Sequence, residues 1–162
     1  MNCLDKLQQY LREARVPFRV QHHPAAYTAA EVAASEHLPG ALVAKVVVVF
    51  AAGRPVLLVL PASHRVDLAQ VGAVLGADVA RLAHEAELAA LFPDCEVGAM
   101  PPFGNLYDLP VYVDAALTAH EHIVVPAGTH TETIGLAYAD FARLVRPHAA
   151  AFAAPTPELP PD

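Results

Sequence analysis

Lys45 stands in the run Val43-Ala44-Lys45-Val46-Val47-Val48-Val49-Phe50, and Lys6 is the only other lysine among ten basic residues. A cation in so apolar a stretch is unfavourable unless its amine reaches a cleft or an anionic partner. On an exposed edge strand a lysine would instead guard against aggregation. Four consecutive valines argue against such an edge. At a cleft the ammonium can hold a phosphate or ribose oxygen, or stabilise a developing oxyanion.

Two further segments offer chemistry. In Gly98-Ala99-Met100-Pro101-Pro102-Phe103-Gly104 the glycines permit close approach of backbone to a ligand, and the paired prolines stiffen an extended loop. Such a loop can turn backbone N–H groups toward a carbonyl or its tetrahedral intermediate, although Pro-Gly loops are often mere connections. Ala127-Gly128-Thr129-His130 reads as a turn whose histidine can orient a substrate or shuttle a proton. A lone turn histidine is otherwise an ordinary surface residue.

Other clusters lack the spacing their chemistry needs. Of nine histidines, His22-His23 and His120-x-His122 lie closest together, but no HExxH or HxE…CxxC pattern accompanies them, so no metal is expected. Ser63, His64 and Asp67 suggest a hydrolytic triad only superficially. Neighbours on a strand face opposite ways and no GxSxG elbow is present, so Asp67 is expected to cap a helix. Cys3 and Cys95 show no CxxC spacing, which suggests neither a disulfide framework nor a zinc site. Cys95 reads as a small loop residue.

The elements that must position these groups follow from periodicity. Leu4, Leu7, Leu11 and Ala14 mark a helix over residues 3–15, stopped by Pro17. Residues 18–22 alternate as a strand. Thr28-Ala29-Ala30-Glu31 has capping-box spacing for a helix to about His37. Residues 42–51 and 56–61 read as apolar strands buried on both faces and joined at Gly53-Arg54. Asp67 starts a helix closed by Gly76. A strand at 79–82 and a helix at 85–91 precede the long loop 93–105. Strands at 111–113, 121–125 and 133–137 lead to a helix at 138–145. The expected class is α+β: a mixed, largely antiparallel sheet, curled and barrel-like, with helices outside. Residues 1–147 read as one domain, and 148–162, rich in Pro and Ala, as a disordered tail.

A chain of 162 residues has room for one ordinary domain, and no apolar run reaches the ~18–20 residues of a membrane span. The N-terminus lacks signal-peptide character, so a reduced, cytoplasmic setting is the default expectation. The formal charge of −7 argues against a broad basic face for nucleic acid, while leaving room for a local encounter with one RNA end.

Taken together, the strand lysine, the loop ending Pro102-Phe103-Gly104 and the Gly128-x-His130 turn resemble the YbaK/ProX family of prolyl-tRNA-editing-like deacylases. His23-Pro24 before the Thr28 helix and Val113-Asp114 after the loop fit the same pattern. The resemblance spans about residues 5–145. It implies hydrolysis, in trans, of the ester of mischarged aminoacyl-tRNA, commonly tRNA for proline. No cofactor is implied, and the partners are the tRNA acceptor end and, for some members, a prolyl-tRNA synthetase. By motif, Lys45, Gly98 and His130 carry the chemistry, with Lys45 on the 3′-terminal adenosine or its phosphate. Thr28, Val46, Ala99, Met100, Pro101, Pro102, Phe103, Gly104 and Gly128 would contact substrate. Members acting on alanyl-tRNA often have a polar residue after the strand lysine; here it is Val46, and the amino acid cleared stays open. The alternative is a non-catalytic module on the same scaffold, binding a nucleotide, an aminoacyl-adenosine or a protein.

Overall fold

The structure is a computed structural model that describes residues 2–157. Helix α1 (Cys3–Glu13) buries Cys3, Leu4, Leu7 and Leu11 at helical spacing, and the Asn2 side chain caps it by accepting from the Asp5 N–H at 2.8 Å. Strand β1 (Phe18–His22) leads to α2 (Ala29–Ser35). Thr28 caps α2: its Oγ1 accepts from the Glu31 N–H at 3.1 Å. A 3-10 turn at Gly40–Leu42 opens β2 (Ala44–Ala51), which returns as β3 (Arg54–Pro61). Ala52 and Gly53, both at positive φ, make the tight turn between them, where glycine removes the Cβ penalty.

The chain continues through β4 (His64–Val66), α3 (Leu68–Leu75), β5 (Ala80–Leu82) and α4 (Glu85–Leu91). Asp67 caps α3 through the Ala69 and Gln70 N–H groups, and Gly76 ends it in the left-handed region. After the long loop come β6 (Val111–Asp114), β7 (His122–Pro126), β8 (Glu132–Ala137), α5 (Tyr138–Val145), β9 (His148–Ala150) and β10 (Ala153–Pro155).

Three sheets result: a five-stranded one in the order β5-β2-β3-β6-β9, a three-stranded one in the order β1-β8-β7, and the pair β10-β4. Pairing is antiparallel except for β3 with β6 and β6 with β9. The mixed α+β class stands, but the sheets do not close into a barrel. A single bridge between Val43 and Val124 brings the two larger sheets together just before Lys45. The hairpin β2–β3 is covered on both sides, as its unbroken apolar runs require. Val48, Leu57 and Val59 pack into the main core with Leu7, Leu11 and Phe141. Val49, Val56, Leu58 and Leu60 pack on the other side with Val71 and Phe152.

Two further expectations need correction. The stretch from 148 is not a disordered tail as far as residue 157. Strand β9 extends the large sheet, β10 pairs with β4, and Phe152 is fully buried. The Asp114 carboxylate secures the segment by accepting from the Phe152 and Ala153 N–H groups at 3.0 and 3.1 Å. Composition concealed this, because one phenylalanine and one distant carboxylate outweigh the surrounding Pro and Ala. Residues 158–162 lie outside the described residues.

The cysteines are likewise joined, Cys3 to Cys95 across 92 residues, which ties the start of α1 to the long loop. No local spacing announces a pair brought together by tertiary packing. A disulfide typically contributes about 2–4 kcal/mol. Reduction, or Cys95→Ser, is therefore expected to lower stability by that order, read as a fall in Tm with and without reductant. An unchanged Tm on reduction would show that the bridge does not constrain the chain.

Candidate active site

A cavity of about 260 Å³ opens beside the seam between the two larger sheets. Five chain segments line it, with Ala62 after β3 alone in one of them. The start of β2 contributes Lys45 and Val46; the loop contributes Gly98 and Ala99; the β7–β8 turn contributes Thr129 and His130; and the approach to α2 contributes His23, Tyr27 and Thr28.

Lys45 is half-buried on the cavity wall. The β2–β3 pairing places it opposite Leu60, and the Ala62 N–H to Val43 carbonyl bond of 2.8 Å holds the strand's entry. Among the described residues no carboxylate lies within ion-pair distance of its ammonium. A lysine surrounded by valine and alanine, with no internal counter-charge, is available to an anionic or polar ligand.

His130 is clamped from several directions. Its Nε2–H donates to the Val97 carbonyl at 2.9 Å, which leaves Nδ1 as the free acceptor of the neutral ring. Its backbone N–H donates to Glu96 Oε2 at 3.2 Å, and its carbonyl accepts from the Ala26 N–H at 3.0 Å. Tyr27, 67% exposed, lies against the imidazole with ring centroids 4.8 Å apart. Gly98 adopts φ +93°, and a Cβ there would come within 3.3 Å of His130 Cε1. Its N–H is bonded to the Met100 thioether at 3.1 Å, a weak acceptor that a substrate oxygen can replace.

The loop and the turn are laced together next to these groups. The Gly128 N–H donates to the Ala99 carbonyl at 2.8 Å, and the Glu96 N–H donates to the Gly128 carbonyl at 2.9 Å. Gly128 at φ +100° is pressed against Cys3, whose Sγ would lie 2.5 Å from an added Cβ. The disulfide thus backs the turn that carries His130.

Three threonine hydroxyls on the wall each donate to a glutamate: Thr28 to Glu31, Thr129 to Glu132 and Thr133 to Glu36. None is paired with a histidine. Ser63 Oγ and His64 Nδ1 do meet at 3.0 Å, contrary to the expectation that neighbours diverge. Asp67, however, is committed to capping α3, so no triad forms. Among the described residues the one cluster spaced for a metal is Cys3, Asp94 and Cys95, whose sulfurs are bonded to each other.

Displaced ionisations lie outside the cavity wall. The Arg81 guanidinium, with help from the His84 N–H, holds Glu87 down at about 2. Burial, reinforced by the Asp94 carboxylate, pushes the Tyr107 phenol up.

Of the residues singled out in the sequence, Lys45, Gly98, His130, Thr28, Val46 and Ala99 share the cavity wall. Met100, Pro101, Pro102, Phe103 and Gly104 do not. They turn inward and are buried, with Phe103 edge-on to Phe141 and Tyr10. Gly104 has no room for a side chain, since a Cβ would lie 2.6 Å from the Leu109 carbonyl oxygen. Gly128 shapes the turn rather than the wall. Sequence reasoning missed Tyr27, Glu96 and Glu132, and it saw His23 only as part of a flanking motif. No local pattern marks the first three; the fold brings Tyr27 and Glu96 to His130 and turns Glu132 onto the cavity wall.

The aminoacyl-tRNA editing domain model matches residues 23–144, more than half of the chain. The chain belongs to that family. No curated protein matches the sequence. Among solved structures, a protein proposed to be a trans-editing enzyme for prolyl tRNA synthetase superposes with TM-score 0.82 at 21% identity, covering 95% of this chain and 98% of that one. Hypothetical protein APE2540 superposes with TM-score 0.83 at 19% identity, covering 92% and 99%. At such identities the likeness shows a shared fold. No helix among the described residues is long and apolar enough to cross a membrane.

Proposed function

We propose that this chain is a trans-acting deacylase that hydrolyses the ester joining a wrong amino acid to the 3′ end of tRNA, with tRNA for proline as the expected type. The observation that carries the reading is the convergence of Lys45, Gly98 and His130 on one cavity large enough for an aminoacyl group. Lys45 takes the terminal adenosine's phosphate or ribose oxygens. The Gly98 N–H, released from the Met100 thioether, stabilises the oxyanion that forms on the ester carbonyl. His130, its ring fixed by Val97, places the acyl end. The ribose hydroxyl beside the ester assists the attacking water. The acyl C–O bond breaks, water supplies the new carboxyl oxygen, and the leaving ribose oxygen takes a proton. Positioning and electrostatics supply the rate, without a covalent nucleophile and without a metal or cofactor.

The wall is small and apolar around Val46, Ala29, Ala30 and Val32, which suits a small side chain and excludes larger ones sterically. One methylene is worth only ~1–3 kcal/mol in such a pocket, so size exclusion governs the choice. Ester loss from tRNAs charged with alanine, serine, threonine or cysteine, tRNA for proline included, is the direct test. Loss above the spontaneous rate from one or a few is expected; none from any would overturn the reading.

The charge of −7 favours a second reading, a non-catalytic module for a nucleotide, an aminoacyl-adenosine or a protein. Salt separates the two, since tRNA binding weakens as salt rises from about 50 to 200 mM whereas a small uncharged ligand responds little.

A further inference from the structure

His23 carries an acceptor that the protein leaves empty. The residue follows β1, its N–H donating to the Thr131 carbonyl at 2.9 Å, and only 8% of it is exposed. Its Nδ1 lies 2.7 Å from the Pro24 carbonyl. A carbonyl can only accept, so the proton sits on Nδ1 and Nε2 of the neutral ring is an acceptor. That Nε2 is buried and, among the described residues, has no partner. His23 nonetheless belongs to the wall of the cavity that holds Lys45, Gly98 and His130. A buried acceptor without a donor is unfavourable, and natural structures retain such atoms where a ligand completes them.

The wall holds a second feature of the same sign. Glu132 brings a carboxylate whose Oε1 already accepts from Thr129. Lys45 on the same wall serves the anionic end of a ligand, whereas the unfilled His23 acceptor and the Glu132 carboxylate, whose Oε2 lies 3.4 Å from His22 Nδ1, suit a second group rich in N–H donors. An aminoacyl ester has one such group, its free α-ammonium.

We infer that His23 is a positioning residue that reads the α-ammonium of the aminoacyl group, with Nε2 accepting one of its N–H bonds. This rests on the deacylase reading for the identity of the ligand, but not on catalysis. The consequence is selectivity for free amino acids over acyl groups that lack the amine, because the latter leave Nε2 buried and unpaired.

The test uses the full chain and two non-hydrolysable probes, 3′-alanylamino-3′-deoxyadenosine and its propionyl counterpart, which differ only in the amine. Calorimetry on the wild type is expected to show the alanyl probe binding about ten- to a hundredfold more tightly. In His23→Leu that ratio should fall toward one, and in His23→Gln, whose amide oxygen can accept, it should recover in part. A wild-type ratio near one, or a ratio that persists in both variants, would overturn the inference. Should His23→Leu fail to fold, His23→Phe, which keeps a flat ring of similar size and lacks the acceptor, takes its place. Ester hydrolysis measured alongside separates the two ideas: hydrolysis with no amine preference defeats only this inference, and amine preference with no hydrolysis defeats only the deacylase reading.

Discussion

Replacing Lys45 by alanine is expected to lower ester hydrolysis by roughly 10²–10³-fold, the loss typical when one preorganised stabilising group is removed. Stability should change little. The Lys45 ammonium has no ion-pair partner among the described residues, so its removal strands no buried counter-charge. The backbone pairing of β2 with β3 does not depend on the side chain. Surface-like substitutions of this kind stay within about ±0.5 kcal/mol. Single-turnover ester loss together with thermal unfolding checks both halves. Lys45→Arg is not expected to rescue, because a planar fork cannot replace a compact ammonium at a fixed point. Full activity in Lys45→Ala would remove the lysine from the site and with it the proposed mechanism.

Phe103→Ala should do the reverse. Phe103 is 0% exposed and touches Phe141 and Tyr10 edge-on, with ring centroids 5.7 and 6.2 Å away. Truncating such a ring forfeits its transfer free energy and leaves a void, about 3–5 kcal/mol together. Against a total stability of about 5–15 kcal/mol, that is enough to unfold a sizeable fraction near body temperature. Chemical denaturation should show a large drop in midpoint, while ester loss per folded molecule stays within a few-fold of the wild type. The alternative suggested by the motif, a phenylalanine contacting substrate, makes the opposite forecast: intact stability and lost activity.

These two residues show where local reading succeeds and where it stops. Both lie in motifs visible in the chain. Lys45 could be assigned to a cleft because its neighbours, one after another, are valines; the anomaly is contained within eight residues. Phe103 carries no such internal contradiction. An irregular loop has no period from which its faces can be told apart, so whether a given side chain meets substrate or core depends on what packs behind it. Here α1 and α5 supply Tyr10 and Phe141, and the last five residues of the Gly98–Gly104 loop turn inward. His130 presents the same difficulty in milder form. Its ring is oriented by the Val97 carbonyl and its backbone N–H is held by Glu96, both more than thirty residues earlier, and no turn propensity could reveal that.

By itself the sequence determined what short-range physics controls. Helix α1 and the long strands follow from apolar periodicity, and α2 and α3 from the caps at Thr28, Asp67 and Gly76, set by side-chain and backbone preferences a few residues apart. The anomalous lysine belongs to the same class. Tertiary structure alone decided the pairings that close over long separations. It joined Cys3 to Cys95, recruited Phe152 and β9 from a stretch whose composition suggests disorder, kept the sheets from closing, and set Tyr27 and His23 on the cavity wall with Lys45. The reason is physical: a helix or strand repays its ordering through neighbours in the chain, whereas a cavity wall is assembled from segments whose only common property is where the core leaves them.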